Sequence, residues 1–152
     1  MSTLGEVIRH PFHLARRFVT SLPPRPPLPA DEAWADQNLL DGERSLWVRL
    51  SNQDRRHSIG VARRFAAARP GATRAEVAGA LLHDVGKVEC GLGTFGRVAA
   101  TVVGPRSERF RLYHDHERIG ARLAERAGSE PATVELVGES GPAYATLEVC
   151  DY

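Results

Sequence analysis

Ala80-Leu81-Leu82-His83-Asp84-Val85-Gly86-Lys87 is the stretch on which the reading of this chain turns. An apolar helical end runs into adjacent His and Asp, then a glycine, then a lysine. Neighbouring side chains do not share a helix face. His83 and Asp84 can therefore converge only where a helix is ending, or where the point they share is a metal ion. Gly86 is read as the end of that helix, since glycine is favoured just past a C-terminus. The stretch sets an imidazole, a carboxylate and an ammonium side by side. Taken alone, it reads as a helix end with a solvated Asp and Lys.

Working outward, Thr73-Arg74-Ala75-Glu76 has the form of a capping box and opens a helix over 75–83. Its alanine- and leucine-rich composition predicts a central, buried element. Upstream, Ser51 or Asn52 caps a helix running to about residue 69. There His57, Val61 and Phe65 recur at spacings of four and form one stripe, so His57 faces inward. Arg55, Arg56, Arg63 and Arg64 fall mostly on other faces and are read as solvated. A histidine on such a stripe is otherwise a core residue bonded to backbone. Earlier still, Asp31 caps a helix to Leu40, Asp41-Gly42 breaks it, and 43–50 forms another with Leu46, Trp47 and Leu50. Trp34 and Trp47 are read as core.

Five prolines in the nine residues 21–29 predict an extended spacer. It separates an arm, residues 1–30, from a domain, residues 31–152. A short basic helix over 4–20 is read as packed on the domain or loose, rather than as a membrane or partner anchor. Downstream of Lys87, residues 88–93 read as loop and 94–103 as helix. Gly104-Pro105 stops that helix, and Arg106, Arg109 and Arg111 form a basic cluster, either solvated or a rim for phosphate. His114-Asp115-His116 opens a helix to Ala127 with Gly128 as its cap. Glu130-Pro131 starts another to Val137. Residues 138–142 break the chain, and a last helix over 142–151 ends at Asp151. With no alternating pattern and no repeat, the fold class is all-α: five to eight helices around one core.

At 152 residues and 42% hydrophobic, the chain is long enough for one real core. A net charge of +1 argues against a field that would draw it to nucleic acid or membrane. Cys90 and Cys150, far apart in sequence, make neither a disulfide framework nor a zinc-finger spacing. No apolar run reaches the length of a membrane span, and charges throughout 1–20 argue against a signal peptide. The expected location is the cytoplasm.

In the order His57, then His83-Asp84, then Asp151, the chain resembles the HD-domain superfamily of metal-dependent phosphohydrolases. Its His-Asp-Val-Gly-Lys form resembles the HDIG-type subgroup. His116-Glu117-Arg118-Ile119-Gly120-Ala121 is similar to a helix start of that family, and Leu147-Glu148-Val149-Cys150-Asp151 to the helix that delivers its last aspartate. The likeness covers 52 to 152, about two thirds of the chain. It implies an HD-like bundle in which His57, His83, Asp84 and Asp151 hold one divalent transition metal: manganese, iron, cobalt, nickel or zinc. It also implies a metal-activated water attacking a nucleotide or another small phosphate ester. Asp84 would orient that water and Lys87 would meet the developing charge. His116 is the candidate for a second metal or for substrate, and Arg118, Arg109 and Arg111 are weaker candidates for phosphate.

The departures are specific. Family members with two metals carry a further histidine pair where Val137-Gly138-Glu139-Ser140-Gly141 stands, so a complete two-metal site is not expected; Glu139 could stand in. The Gly-Tyr-Pro signature of cyclic-di-GMP phosphodiesterases is absent. So is the His-Asp-x-x-Glu-Asp form of alarmone hydrolases, because Lys87 and Val88 occupy those places. Asp151 lies one residue from the end of the sequence, where a helix is expected to fray unless an oligomer contact or the proline-rich segment covers it. The alternative is a non-catalytic HD-type module that binds metal, nucleotide or a partner as a sensor.

Overall fold

A computed structural model describes residues 25–90 and 115–152. The expected helices over 4–20 and 94–103, and Arg106, Arg109, Arg111 and His114, lie outside the described residues. Among the described residues there are seven α-helices and no strand, so the all-α expectation holds. They are α1 (Pro29–Gln37), α2 (Asp41–Trp47), α3 (Asn52–Ala68), α4 (Arg74–Leu82), α5 (His116–Arg126), α6 (Pro131–Val137) and α7 (Tyr144–Cys150), with a 3-10 helix over Val85–Cys90. None of these helices is long and apolar enough to cross a membrane.

Local chemistry sets most of the boundaries. Ser51 caps α3 by accepting from Asp54 N at 3.1 Å. Thr73 and Glu76 close the anticipated capping box on α4, at 3.2 and 3.0 Å. Pro131 stands at the first turn of α6. Gly128, with φ of 82°, ends α5 while Ser129 N reaches back to Ala124 O.

Several boundaries differ from expectation: the last helix starts at Tyr144 rather than at 142, and residues 88–90, read as loop, belong to the 3-10 helix. Pro29 opens α1 rather than ending the extended stretch, because proline fits a first helical turn as well as a spacer. Asp41-Gly42 is not a break but the first turn of α2, where Glu43 Oε2 accepts from Leu40 N at 2.7 Å.

α4 is the axis of the bundle. Every residue from Val77 to Leu82 is buried. α6 packs on one side of it, where Thr133 Oγ1 donates to Ala75 O at 2.8 Å, and α3 packs on another. α7 lies against α3, and α5 against α6 and the 3-10 helix. Phe65, Leu81, Leu82 and Leu136 form the centre and are almost fully buried. Each such side chain contributes about 1.5–3 kcal/mol relative to exposure.

The local reading of Gly86 is corrected. α4 ends at Leu82, and His83 is its right-handed C-cap. Gly86 lies inside the 3-10 helix, where it serves a close approach. A Cβ there would fall 1.7 Å from the main-chain oxygen of His116 and 2.9 Å from Gly120 N. The start of α5 therefore rests directly on the turn that carries Asp84.

Candidate metal centre

Two helix ends and one helix interior meet at a single point. His83 caps α4, Asp84 follows it, Asp151 caps α7, and His57 projects from the second turn of α3. His57 Nε2 lies 2.8 Å from Asp151 Oδ1. His83 Nε2 lies 3.6 Å from that same oxygen and 3.6 Å from Asp84 Oδ2. One ligand atom from each of His57, His83 and Asp151 falls within 4.8 Å of the others. The two imidazole rings tilt at 56° with centroids 5.7 Å apart.

His83 settles what this arrangement suits. Its Nδ1 donates to Ala80 O at 2.7 Å, which leaves the lone pair of the neutral ring on Nε2. That Nε2 is buried and has no hydrogen-bond partner. A contact of 3.6 Å is too long for a hydrogen bond. It suits two ligands of one ion: bonds of about 2.1 Å at a tetrahedral angle separate the donor atoms by ~3.4 Å. Two neutral nitrogens and two carboxylates also form a donor set that first-row divalent metals accept. The residues present therefore fit a metal.

Asp84 links this group to a second. Lys87 Nζ contacts Asp84 Oδ2 at 2.7 Å, and His116 Nε2 stands 3.7 Å from Oδ1. Both partners of the Asp84–Lys87 pair are buried. Burial pushes the Asp84 carboxyl up, but Lys87, and then His83, His57 and His116, hold it well below the usual carboxylate range. Burial pushes the Asp151 carboxyl up as well, but its hydrogen bond with His57 and the nearby charge of His83 hold it well below that range. For His83, burial disfavours the imidazolium, yet the charges of Asp84 and Asp151 outweigh it and raise the pKa.

No protein-family model, curated protein or solved structure matches the chain. What the site can do must be read from its own residues.

His116, Glu117 and Glu139 form a second group with ligand atoms within 4.8 Å of one another. Glu139 adopts φ of 58° at the end of α6, a left-handed conformation uncommon outside glycine. Burial and then the Glu139 charge push the Tyr144 pKa up to about 12. Among the weaker phosphate candidates, Arg118 pairs with Asp115 on its own helix at 3.2 Å.

The arginines of α3 do more than the sequence suggested. Arg55 pairs with Glu32 at 2.7 Å, and Arg63 pairs with Asp31 while lying over the Trp34 ring. Arg64 donates to the main chain on either side of Asp151. The signal for Arg64 was available, since it stands seven residues after His57 and so returns to the same side of the helix after two turns. For Glu117 the only signal was its adjacency to His116.

Proposed function

We propose that this chain is an HD-type, metal-dependent phosphohydrolase acting on a nucleotide or another small phosphate ester, in the cytoplasm. One observation carries the reading. A buried imidazole lone pair, His83 Nε2, faces oxygens of Asp84 and Asp151 at distances suited to a shared cation. Such a group costs several kcal/mol to bury without a partner, and a cation supplies one. The order of the four donors along the chain, similar to that of the HD superfamily, supports the same reading.

His57, His83, Asp84 and Asp151 would hold the metal. A divalent ion there would act as a Lewis acid, making water more acidic and neutralising phosphate charge. The chain's own residues do the rest. Ala80 O keeps the proton on His83 Nδ1 and fixes the ring. Lys87 keeps Asp84 ionised and sets its orientation. Asp84, facing His116 across 3.7 Å, would orient a water, and His116 would take up its proton. His116, Glu117 and Glu139 support a second, carboxylate-rich cation position in place of a histidine pair. Oxygen-rich donors there would favour magnesium or manganese over zinc.

Elemental analysis of the purified wild type and Asp84→Ala, followed by turnover of p-nitrophenyl phosphate, its bis ester and a nucleotide panel, tests the proposal. The expected result is about one transition metal per chain, lost with Asp84, and metal-dependent release of phosphate or alcohol. Metal bound without turnover of any ester would indicate the sensor module instead. No metal in the wild type, even after manganese or iron is offered, would overturn the reading.

A further inference from the structure

Asp151 lies just beyond the last helical residue of a seven-residue helix, a poor place from which to aim a carboxylate. Its backbone, at φ −84° and ψ 78°, forms an inverse γ-turn in which Tyr152 N donates to Cys150 O at 3.1 Å. Arg64 spans this turn. Its Nε donates to Cys150 O at 3.0 Å, and its Nη2 donates to the main-chain oxygen of Tyr152 at 2.9 Å. The guanidinium carbon also sits 4.1 Å from the centre of the Tyr152 ring. The residues before and after Asp151 are thus held by one planar fork, while the Asp151 carboxylate reaches His57.

Arg64 and His57 belong to the same helix, two turns apart on one side. The element that supplies the histidine therefore also fixes the backbone of the aspartate facing it, so their relative placement depends on one rigid rod. We propose that Arg64 is a positioning residue whose grip on Cys150 and Tyr152 sets Asp151 at the metal centre. This rests on the reading of that centre as a metal site. The role needs a guanidinium. A lysine offers one point charge, cannot bridge two main-chain oxygens in fixed geometry, and would not substitute.

Isothermal titration of the full chain with Mn²⁺ tests this in wild type, Arg64→Met, Arg64→Lys, Asp151→Asn and Arg64→Met/Asp151→Asn. Amide hydrogen exchange of residues 148–152 is followed in the chelated proteins. Losing a group that orients a ligand typically weakens metal binding by about 10–100-fold. That loss is expected in Arg64→Met, with little rescue in Arg64→Lys and no added loss in the Asp151→Asn background, because both changes remove the same ligand. The amides of Asp151 and Tyr152 should exchange faster in Arg64→Met. Wild-type affinity in Arg64→Met, or an equal loss with and without the Asp151 carboxylate, would overturn the proposal. A wild type that takes up no Mn²⁺ would overturn the metal reading instead. Exchange then decides the grip alone: faster exchange in Arg64→Met upholds it, and unchanged exchange refutes it. Should Arg64→Met fail to fold, Arg64→Lys gives the same readouts with the stem and charge retained.

Discussion

Replacing Gly86 with alanine adds a single methyl at the contact between the Asp84 turn and the start of α5. That methyl would sit 1.7 Å from the main-chain oxygen of His116, whereas Cβ atoms essentially never approach closer than 3.0 Å. The gap must therefore widen by at least 1.3 Å, the difference of those two distances. No flexible side chain can absorb this, because the obstructing atoms are the carbonyl of His116 and the amide of Gly120. Either α5 shifts as a body or the 3-10 helix deforms. Overpacking of a well-packed interior costs about 1–3 kcal/mol, and a clash of backbone on backbone belongs at the upper end. At ~2–4 °C per kcal/mol for a chain of this size, a loss of about 3 kcal/mol lowers Tm by roughly 6–12 °C. Because α5 carries His116, the 3.7 Å contact with Asp84 should lengthen as well. Thermal unfolding followed by circular dichroism measures the first effect. Gly71→Ala is the control, since that glycine has φ of 82° but nothing within 4 Å of an added Cβ. It should lose only the local cost of a left-handed alanine, about 1–2 kcal/mol. A Gly86→Ala protein as stable as wild type, or no worse than Gly71→Ala, would refute the close approach.

Other perturbations reach the centre from different sides. Lys87→Met strips a buried carboxylate of its ammonium partner and should cost about 3–5 kcal/mol in denaturant unfolding, with Lys87→Met/Asp84→Asn recovering much of it; equal losses in both would mean the pair is not coupled. The chelated protein should have a plateau of stability in mild acid. Asp84 and Asp151, depressed on folding, contribute above about 3.8 and lose that contribution as pH falls through their lower folded values. His83, raised on folding, contributes fully below about 6.5 and loses it as pH rises through its folded pKa, so Tm should fall as pH rises above about 6.5; a Tm that rises instead contradicts the shift. Glu139→Gly relieves a left-handed residue and should raise stability by about 1 kcal/mol while weakening any cation held by His116 and Glu117; a destabilised variant would contradict the strain.

What could be read in advance was local. The Thr73–Glu76 box, the Ser51 cap, Pro131 at a first turn and Gly128 past a last one each act within a few residues, so spacing reveals them. Gly42 and Gly86 were misread because their reasons are tertiary. Gly42 lies where a Cβ would meet Ala127 O, and Gly86 where one would meet His116 O, partners far away in sequence. Glycine in a string signals a break with equal force whether it permits a turn or permits contact. Arg64 was assigned to solvent because a charge on a helix usually is solvated, yet its donors face main-chain oxygens at the end of α7. Which helix lies alongside α3 is not encoded in the local pattern of α3.

The placement of the four donors has an electrostatic consequence of its own. α4 and α7 both end at the cluster, and each helix C-terminus carries a partial negative charge of roughly half a unit. Asp84 and Asp151 add two full negative charges, which Lys87 and, at the end of α7, Arg64 offset with two positive ones, so that the helix ends leave the balance negative. With neutral imidazoles the cluster is therefore negative, and much of it is shielded from water. Such a site must draw a positive charge to itself. The raised pKa of His83 is one response, because a proton on Nε2 faces both carboxylates. A divalent cation is the stronger competitor for the same lone pair, and it would also engage His57, which a single proton on His83 cannot. Metal uptake should then release protons near neutrality, and the release should grow as pH is lowered toward the raised pKa of His83. Titrating a lightly buffered sample with Mn²⁺ at pH 6.5 and pH 8.5 measures it. More protons at the lower pH would show that cation and proton share His83 Nε2. No release at pH 6.5 would mean that the ion binds elsewhere.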